Sequence, residues 1–435
     1  MLSLIGLLIV ITVVALLLSN RASPIVALTL IPVIGTLLAG FDLNSISHFF
    51  NDGLDQVISI ATMFIFAILY FGIMQDVGLF DPLIQRVIAL SSGNVIAIAM
   101  GTVIIGALAH LDGSGASTFL ITIPALLPIY QRLKMSPYLL VLLVGASASI
   151  MNMVPWGGPL GRAASTLENT SSVELWHTLI PLQIMALFIL LGLAALLGWR
   201  EKKRIDVGFN QTNNLLGQPS FNTEAPSDLS MTTSRHWWFN LGLTSLLIIS
   251  LVSSWLPVPL TFMIGLTIAL IINFPNPSQQ TQRIKAHAPN ALMMAAIILA
   301  AGVFLGMMQG SGMLKQLAIM LVAFLPNAML PYLHLIIGVL GAPFELLLNT
   351  DAYYYALLPI VQSVSQTVGI TPHTTTYALL VGNIVGTFIS PFSPALWLAL
   401  GLAGIEMGRY IRYAFLWIWG FSIILFIIAG LMGLF

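Results

Sequence analysis

The sequence contains no cysteine and very little charge. Without cysteine, the chain has neither disulfide bonds nor thiolate ligands for a metal site. Charged residues make up 7% of its 435 residues and apolar residues 58%, whereas a soluble domain carries about 25% charged residues. Water is therefore not the main solvent of this chain. The composition predicts an all-α protein that crosses a membrane several times.

Enzyme motifs are also missing. The sequence lacks the His-Glu-x-x-His pattern of zinc proteases, and no nucleophile stands out beside a general base. An intramembrane enzyme is therefore the least supported function. We expect neither a permanently bound cofactor nor a nucleic-acid partner.

Long apolar runs predict membrane spans, because a helix needs about 20 apolar residues to cross. Two further stretches, 95–132 and 329–370, are divided by polar and glycine-rich residues and are interpreted as re-entrant helical hairpins. Spans 137–170 and 374–405 are interrupted in a similar way, which is possible where protein or a water-filled cavity satisfies the backbone. The continuous spans are predicted near 2–19, 25–40, 57–74, 174–199, 237–255, 257–274, 289–309 and 413–434.

The second half of the chain repeats motifs of the first. Residues 125–129 (ALLPI) recur at 356–360, and the glycine motif at 72–75 is echoed at 306–309. Duplicated halves with matching interruptions are typical of secondary transporters. Each half contains five spans and one hairpin, and because five is odd the second half is inverted. The predicted units are a first inverted repeat over 1–199, a cytoplasmic linker over 200–236 and a second inverted repeat over 237–435.

The basic residues fix the predicted orientation. Of the fifteen lysines and arginines, all but Lys315 and Arg162 fall on one side of the predicted membrane. The positive-inside rule makes that side cytoplasmic, so both termini are expected outside the cytoplasm. Counting either hairpin as a single crossing would destroy this separation of charge. We expect a multi-pass protein of the bacterial cell (inner) membrane, with lipid as a partner.

The four interruptions are expected to meet near the middle of the membrane. Half-helix N-termini bind anions and free C-terminal carbonyls bind cations, so such a site suits an anionic substrate carried with a cation. The predicted substrate-binding residues are Asp112, Gly113, Ser114, Ser117, Thr118, Asn152, Pro155, Gly157, Gly158, Arg162, Asn349, Thr350, Asp351, Asn383, Ser390 and Ser393.

Charged groups at membrane depth are the most informative of these residues. A basic side chain there costs about 2.5–3.5 kcal/mol on insertion scales, and Arg162 suits bidentate carboxylate binding. Alternatively, Arg162 reaches the outer surface or pairs with Glu168. Asp112 and Asp351 lie at the hairpin tips and either ligate a carried metal ion, bind the coupling proton, or cap half-helices.

Two other ionisable residues flank the tips. His110 precedes the first tip and Glu345 precedes the second. A supporting structural role is expected for both, and neither is predicted as a ligand.

At these motifs the chain resembles the citrate–metal:proton symporter family (CitMHS) of the ion transporter superfamily. The resemblance runs nearly from end to end. It is carried by residues 66–74 (FAILYFGIM), 78–84 (GLFDPLI), 111–113 (LDG), Asn152, 155–159 (PWGGP), Arg162, 351–354 (DAYY), 358–360 (LPI) and 390–391 (SP).

The resemblance implies proton-driven uptake of citrate, usually complexed with a divalent metal ion. It also implies a homodimer in which the hairpins and interrupted spans move as an elevator. In the carried complex, Asp112 and Asp351 would contact the metal.

The chain also departs from the family pattern. Ser114 stands where the family's first tip has a second aspartate, and Leu160 where threonine is frequent. The second tip reads Asn-Thr-Asp at 349–351 instead of Ser-Asn-Asp. Loss of an acid weakens the metal prediction more than the carboxylate prediction. Transport of a dicarboxylate or sugar acid therefore stays open, as does an anion channel.

Overall fold

The structure is a computed structural model, and it describes residues 2–18, 21–79, 82, 85–86, 89, 93–213, 236–253, 255–324, 326, 328–348 and 350–435. These residues form helices joined by short turns, with no strand among them. The helices are α1 (Leu2–Leu18), α2 (Pro24–Leu38), α3 (Leu43–Asp76), α4 (Val95–Ala109), α5 (Gly115–Arg132), α6 (Pro137–Met151), α7 (Gly158–Ser165), α8 (Ser172–Asn213), α9 (Trp237–Val252), α10 (Val258–Asn273), α11 (Pro277–Gly310), α12 (Met313–Phe324), α13 (Leu333–Val339), α14 (Gly341–Phe344), a π-helix (Ala352–Leu357), α15 (Leu358–Gln366), α16 (Pro372–Ile384), α17 (Pro394–Ala403) and α18 (Met407–Leu431).

Many of these helices begin at a polar residue that caps the free backbone N–H groups of the first turn. Asp42 accepts a hydrogen bond from Ser45 N at 2.9 Å at the start of α3. Thr371 accepts one from Thr374 N at 3.1 Å at the start of α16. Proline follows the cap of α16, where its fixed φ suits the first helical turn and its missing N–H costs nothing.

Several helices are long and apolar enough to cross a membrane. Within the described part of the chain they comprise Leu43–Asp76, Val95–Asp112, Ser172–Asp206, Pro277–Gly310 and Met407–Leu431. The prediction of an all-helical, multi-pass membrane protein is therefore confirmed.

Helices α3 and α11 begin earlier than the predicted spans near 57 and 289. Each has 34 residues, or about 51 Å at 1.5 Å per residue, against a hydrocarbon core of about 30 Å. The predicted spans covered only the apolar part of each helix, whereas the helical hydrogen bonds also include the polar residues that precede it. Helix α8 likewise runs to Asn213, inside the predicted linker. The rest of that linker, 214–235, lies outside the described residues.

Helices α3 and α11 pack against each other through glycines. A Cβ atom added to Gly53 would lie 2.1 Å from the carbonyl oxygen of Gly302, and one added to Gly306 would lie 2.1 Å from that of Phe49. The two backbones are therefore in direct contact. Helix α10 packs on α3, and α2 packs on α11.

The remaining helices position the two tips. Helix α4 packs on α6 and α8, while α5 packs on α17. Helix α13 packs on α16, where a Cβ added to Gly382 would lie 1.7 Å from the carbonyl oxygen of Gly338. Each predicted hairpin is thus held against a predicted interrupted span.

A buried carboxylate fixes the end of the first predicted hairpin. Glu201 of α8 accepts hydrogen bonds from Ser136 N, which precedes α6, and from the Arg204 guanidinium at 2.7 and 3.0 Å. Arg204 also donates to the carbonyl oxygen of Lys134 at 2.8 Å. Through these contacts, α8 holds the turn that connects α5 to α6.

Replacing Glu201 with glutamine is therefore expected to lower stability by about 1–3 kcal/mol, since hydrogen bonds to a charged group are lost. Thermal unfolding in detergent measures this effect. Glu406→Gln is the matched control, because its pair with Arg409 is largely exposed and such pairs contribute little. Equal unfolding temperatures for both variants would show that the Glu201 contacts do not stabilise the fold.

Candidate functional site

The first tip is a tight turn between α4 and α5. A 3₁₀ turn, His110–Asp112, ends α4, and Gly113 has φ of 71°, a conformation that favours glycine. A Cβ at Gly113 would also lie 2.9 Å from the carbonyl oxygen of Trp156. The tip therefore lies against the break between α6 and α7.

The Asp112 carboxylate is buried and is held by its own loop. Its Oδ1 accepts a hydrogen bond from Ser114 N at 2.9 Å, and its Oδ2 accepts one from the Ser117 hydroxyl. Ser114, not Asp112, is the N-cap of α5, with its Oγ 3.5 Å from Ser117 N. The capping alternative for Asp112 is therefore wrong for this helix.

His110 joins the first tip to the end of α6. Its ring is fully buried, with Nδ1 2.7 Å from Thr118 Oγ1 and Nε2 3.0 Å from Asn152 Oδ1. The ring forms a T-shaped contact with Phe388, with 5.7 Å between ring centroids. Two predicted site residues, Thr118 and Asn152, thus contact His110 and are positioned by it.

His110→Ala is expected to lower stability by about 1–3 kcal/mol, because Thr118 and Asn152 lose a buried partner. Thermal unfolding of the purified protein in detergent measures this effect. His48→Ala is the control, since that side chain is 75% exposed. A His110→Ala protein as stable as wild type would contradict the proposed positioning role.

The first break lies between α6 and α7. Asn152 ends α6 as its C-cap and Gly157 is the N-cap of α7, with Pro155 in the turn between them. A Cβ at Gly157 would lie 2.2 Å from the carbonyl oxygen of Asn152. Trp156 stacks on Phe71 at 5.0 Å and donates from Nε1 to the carbonyl oxygen of Leu111 at 2.7 Å. Trp156 therefore ties the break to the first tip.

Arg162 of α7 forms a buried ion pair with Asp351 of the second tip. Its Nε donates to Asp351 Oδ1 at 2.7 Å, and the two side chains are 11% and 12% exposed. The alternative that Arg162 reaches the surface or pairs with Glu168 is therefore wrong. The pair joins two predicted site residues from opposite halves of the chain.

The second tip connects α14 to the π-helix. Asp351 precedes the π-helix without capping it through its side chain, so the capping alternative is also wrong for Asp351. Thr350 is helical and partly exposed, while Asn349 lies outside the described residues. The three tyrosines at 353–355 are buried, and Tyr353 OH donates to the carbonyl oxygen of Leu379 at 3.1 Å. π-Helical turns occur frequently at functional sites.

The second break lies between α16 and α17. Asn383 is fully buried and its Nδ2 donates to the carbonyl oxygen of Gly341 at 3.1 Å. Ser390 is buried in the turn, and Ser393 is the N-cap of α17. The break is thus held against the helix that leads to the second tip.

Gln362 is a functional candidate that sequence reasoning did not select. Its Nε2 donates to Thr166 Oγ1 at 3.1 Å and to Thr376 Oγ1 at 2.8 Å, so it connects α15 with α16 and with the C-cap of α7. The match of Gln362 to Gln131 in the repeated motif was the signal available in the sequence.

Helix α7 contacts α3, α11, α16 and the π-helix, so the first break meets the second tip and the helix that leads to the second break. The first tip is joined to the first break through Trp156. In the described ranges, no group of three or more histidine, aspartate or glutamate side chains is arranged to hold a metal ion. A metal ion here would therefore need ligands from a bound solute as well as from Asp112 or Asp351.

Apolar membrane-length helices, interrupted helices and a buried ion pair between distant segments are features of a membrane transport protein that handles a charged solute. Comparison with known proteins gives the family. The family model described as citrate transporter (CitMHS) matches residues 1–382, and the chain belongs to this family. The resemblance seen in the sequence is confirmed, and so is the prediction of a transporter rather than an enzyme.

The chain matches curated relatives over its whole length. It is 36% identical to a citrate transporter of Bacillus subtilis (strain 168) over 434 residues, covering 100% of this chain and 99% of the relative. It is also 36% identical, with the same coverage, to a protein of that organism named Mg(2+)/citrate complex secondary transporter.

Solved structures support the fold. The YdaH transporter of Alcanivorax borkumensis gives a TM-score of 0.63 at 15% identity, covering 90% of both chains. MtrF of Neisseria gonorrhoeae gives 0.55 at 15% identity, covering 88% of this chain and 82% of the other. At this identity the likeness concerns the fold alone.

Proposed function

We propose that the protein is a secondary active transporter that takes up citrate, or a divalent metal–citrate complex, together with protons. The observation that carries the proposal is the buried Arg162–Asp351 pair beside two helix breaks. Full-length relatives at 36% identity named for citrate and for Mg(2+)/citrate support the substrate class.

A substrate carboxylate would replace Asp351 on Arg162. Arginine suits this exchange because its guanidinium binds carboxylates in a bidentate way. The Asp351 carboxylate released by this exchange could then contact the metal ion of the complex, with Asp112 as a second metal contact. The divalent ion would offset part of the substrate's negative charge, which one arginine alone does not balance.

The remaining predicted residues would surround the substrate. The N-termini of α5, α7 and α17 supply free N–H groups that favour anions, and hydroxyl and amide side chains supply further hydrogen bonds. The proposed surrounding residues are Gly113, Ser114, Ser117, Thr118, Asn152, Pro155, Gly157, Gly158, Asn349, Thr350, Asn383, Ser390 and Ser393.

We further propose two inverted repeats, 1–199 and 237–435, joined by a cytoplasmic linker over 200–236. In this proposal α2 and α3 of the first repeat correspond to α10 and α11 of the second. Helix α10 packs on α3 as α2 packs on α11, which is the pairing expected of two related repeats. The hairpins 95–132 and 329–370, re-entrant in this proposal, would move with the breaks as an elevator inside a homodimer. The protein would lie in the bacterial cell (inner) membrane with both termini outside the cytoplasm.

A transporter of another small carboxylate is the second candidate. Ser114 in place of a second acid at the first tip favours it, because fewer acids favour a substrate without metal. Competition against labelled citrate by a panel of dicarboxylates and sugar acids separates the two candidates. Stronger competition by another acid than by unlabelled citrate would assign that acid as substrate.

Uptake by proteoliposomes tests the main proposal. Labelled citrate is offered with and without Mg²⁺, and with and without a proton gradient. We expect saturable uptake above the external concentration only when the gradient is present. No gradient-dependent uptake under any metal condition would reject symport. Non-saturating flux at millimolar citrate would indicate a channel.

A further inference from the structure

Glu345 is a buried carboxylate without a hydrogen-bond partner. The residue is 0% exposed, and neither of its carboxylate oxygens has a partner in the structure. It follows α14 directly and lies six positions before Asp351 in the second tip. The mechanism proposed above gives this side chain no role.

The surroundings of Glu345 are polar but hold no cation of their own for it. Asn383 and Ser390 of the second break are near enough to act as hydrogen-bond donors to the carboxyl group, but neither of its oxygens is in hydrogen-bonding geometry with them, and the Asn383 Oδ1 atom is itself buried without a partner. A Cβ added to Gly386 would lie 3.2 Å from Glu345 Cγ, so the break closes directly over the side chain.

The charged and titratable groups that act on Glu345 are Arg162, Asp351, Tyr353 and Tyr354. Arg162 donates to Asp351 at 2.7 Å, so its positive charge is already balanced. The Tyr354 hydroxyl is buried without a hydrogen-bond partner.

An ionised carboxylate is costly in this place. A buried charge without well-formed hydrogen bonds or a free counter-ion is avoided by taking up a proton, and the Arg162–Asp351 pair leaves no net positive charge for Glu345. The closed pocket therefore favours the neutral acid. Asp112 differs, because its own loop gives it two hydrogen bonds.

We propose that Glu345 is the residue that binds the coupling proton, in a pocket formed with Asn383 and Ser390. This inference rests on the proposed proton-coupled transport. The proton enters from the outer solution and adds to a carboxylate oxygen of Glu345. It leaves the same oxygen to the cytoplasm after the substrate has left, which restores the carboxylate.

The proximity of Glu345 to Arg162 and Asp351 couples the proton to the substrate. An anion arriving at Arg162 is repelled by an ionised Glu345 and tolerated by a neutral one. Since coupling free energy is reciprocal, bound substrate in turn favours the protonated acid. Proton and anion would therefore cross together.

The test is Glu345→Gln in proteoliposomes, with two assays. Counterflow exchanges labelled for unlabelled citrate and needs no gradient, whereas accumulation needs proton coupling. Because glutamine resembles the neutral acid, the variant is expected to keep counterflow and to lose accumulation. With a gradient of one pH unit, the ratio of internal to external citrate is expected to fall about tenfold for each coupled proton. Glu406→Gln, an exposed position, is the control and should behave as wild type.

The outcomes separate this inference from the proposed function. Wild-type protein without counterflow or accumulation would reject citrate transport itself. If the wild-type protein transports and Glu345→Gln also accumulates citrate normally, the proposed role of Glu345 is overturned. The role is also overturned if Glu345→Gln folds but shows no counterflow. If the Glu345→Gln variant does not fold, the Glu345→Asp variant is tested instead. A displaced pH dependence of accumulation supports the role, and an unchanged one overturns it.

Discussion

Replacing Arg162 with alanine is expected to abolish uptake of citrate and to destabilise the protein. The Asp351 carboxylate would be left buried without its partner, and breaking a buried pair in this way costs about 3–5 kcal/mol. The substrate would lose the cation proposed to bind its carboxylate. Uptake by proteoliposomes and thermal unfolding in detergent measure the two losses.

The double variant Arg162→Ala/Asp351→Asn separates these two effects. Removing both charges is expected to recover most of the stability, because neither charge is left unpaired, while uptake stays absent. Arg162→Lys keeps the charge but loses the fork geometry, so we expect weaker binding with some transport left. Normal uptake by the double variant would show that Arg162 does not bind substrate.

Replacing Gly157 with alanine is expected to give the second large effect. The added Cβ would lie 2.2 Å from the carbonyl oxygen of Asn152, and a backbone atom cannot move aside as a flexible side chain can. The break must therefore shift, which moves Arg162 and the Trp156 contact with the first tip. Overpacking of this kind costs about 1–3 kcal/mol, and we expect uptake to fall by at least about tenfold.

Gly192→Ala is the matched control for Gly157→Ala. It introduces the same methyl group in α8, where a Cβ meets nothing within 4 Å, and alanine also favours the helix. We expect wild-type uptake and equal or slightly higher stability. If both alanine variants transport like wild type, the first break adapts to the methyl group and its geometry is not critical.

The sequence predicted the elements of the fold more reliably than the contacts between them. Apolar runs located the membrane helices because burial in lipid requires such runs. They did not give the full length of α3 and α11, whose polar ends continue as helix beyond the apolar part. Helix ends in water depend on caps such as Asp42, not on hydropathy.

The sequence also selected both members of the central ion pair without pairing them. Arg162 and Asp351 were recognised separately, because charge at membrane depth is costly. They are 189 positions apart, and spacing gives no contact at that separation. The structure was needed to show that Arg162 meets Asp351 rather than Glu168.

Two residues that the sequence analysis set aside gained importance. His110 and Glu345 were expected to have structural roles because each lies next to a tip rather than at it. The hydrogen bonds of His110 to Thr118 and Asn152 agree with that expectation. The missing partners of Glu345, on which its proposed proton-binding role rests, were visible only in three dimensions.

The contact of α3 with α11 provides an internal standard for distance measurements. Because the two backbones touch at Gly53 and Gly306, we expect spin labels on these two helices to keep one separation throughout a transport cycle. The distance from either helix to a spin label beside residue 350 can then be compared with this constant separation. Since the natural chain contains no cysteine, every thiol introduced for labelling reacts alone, without background from native sites.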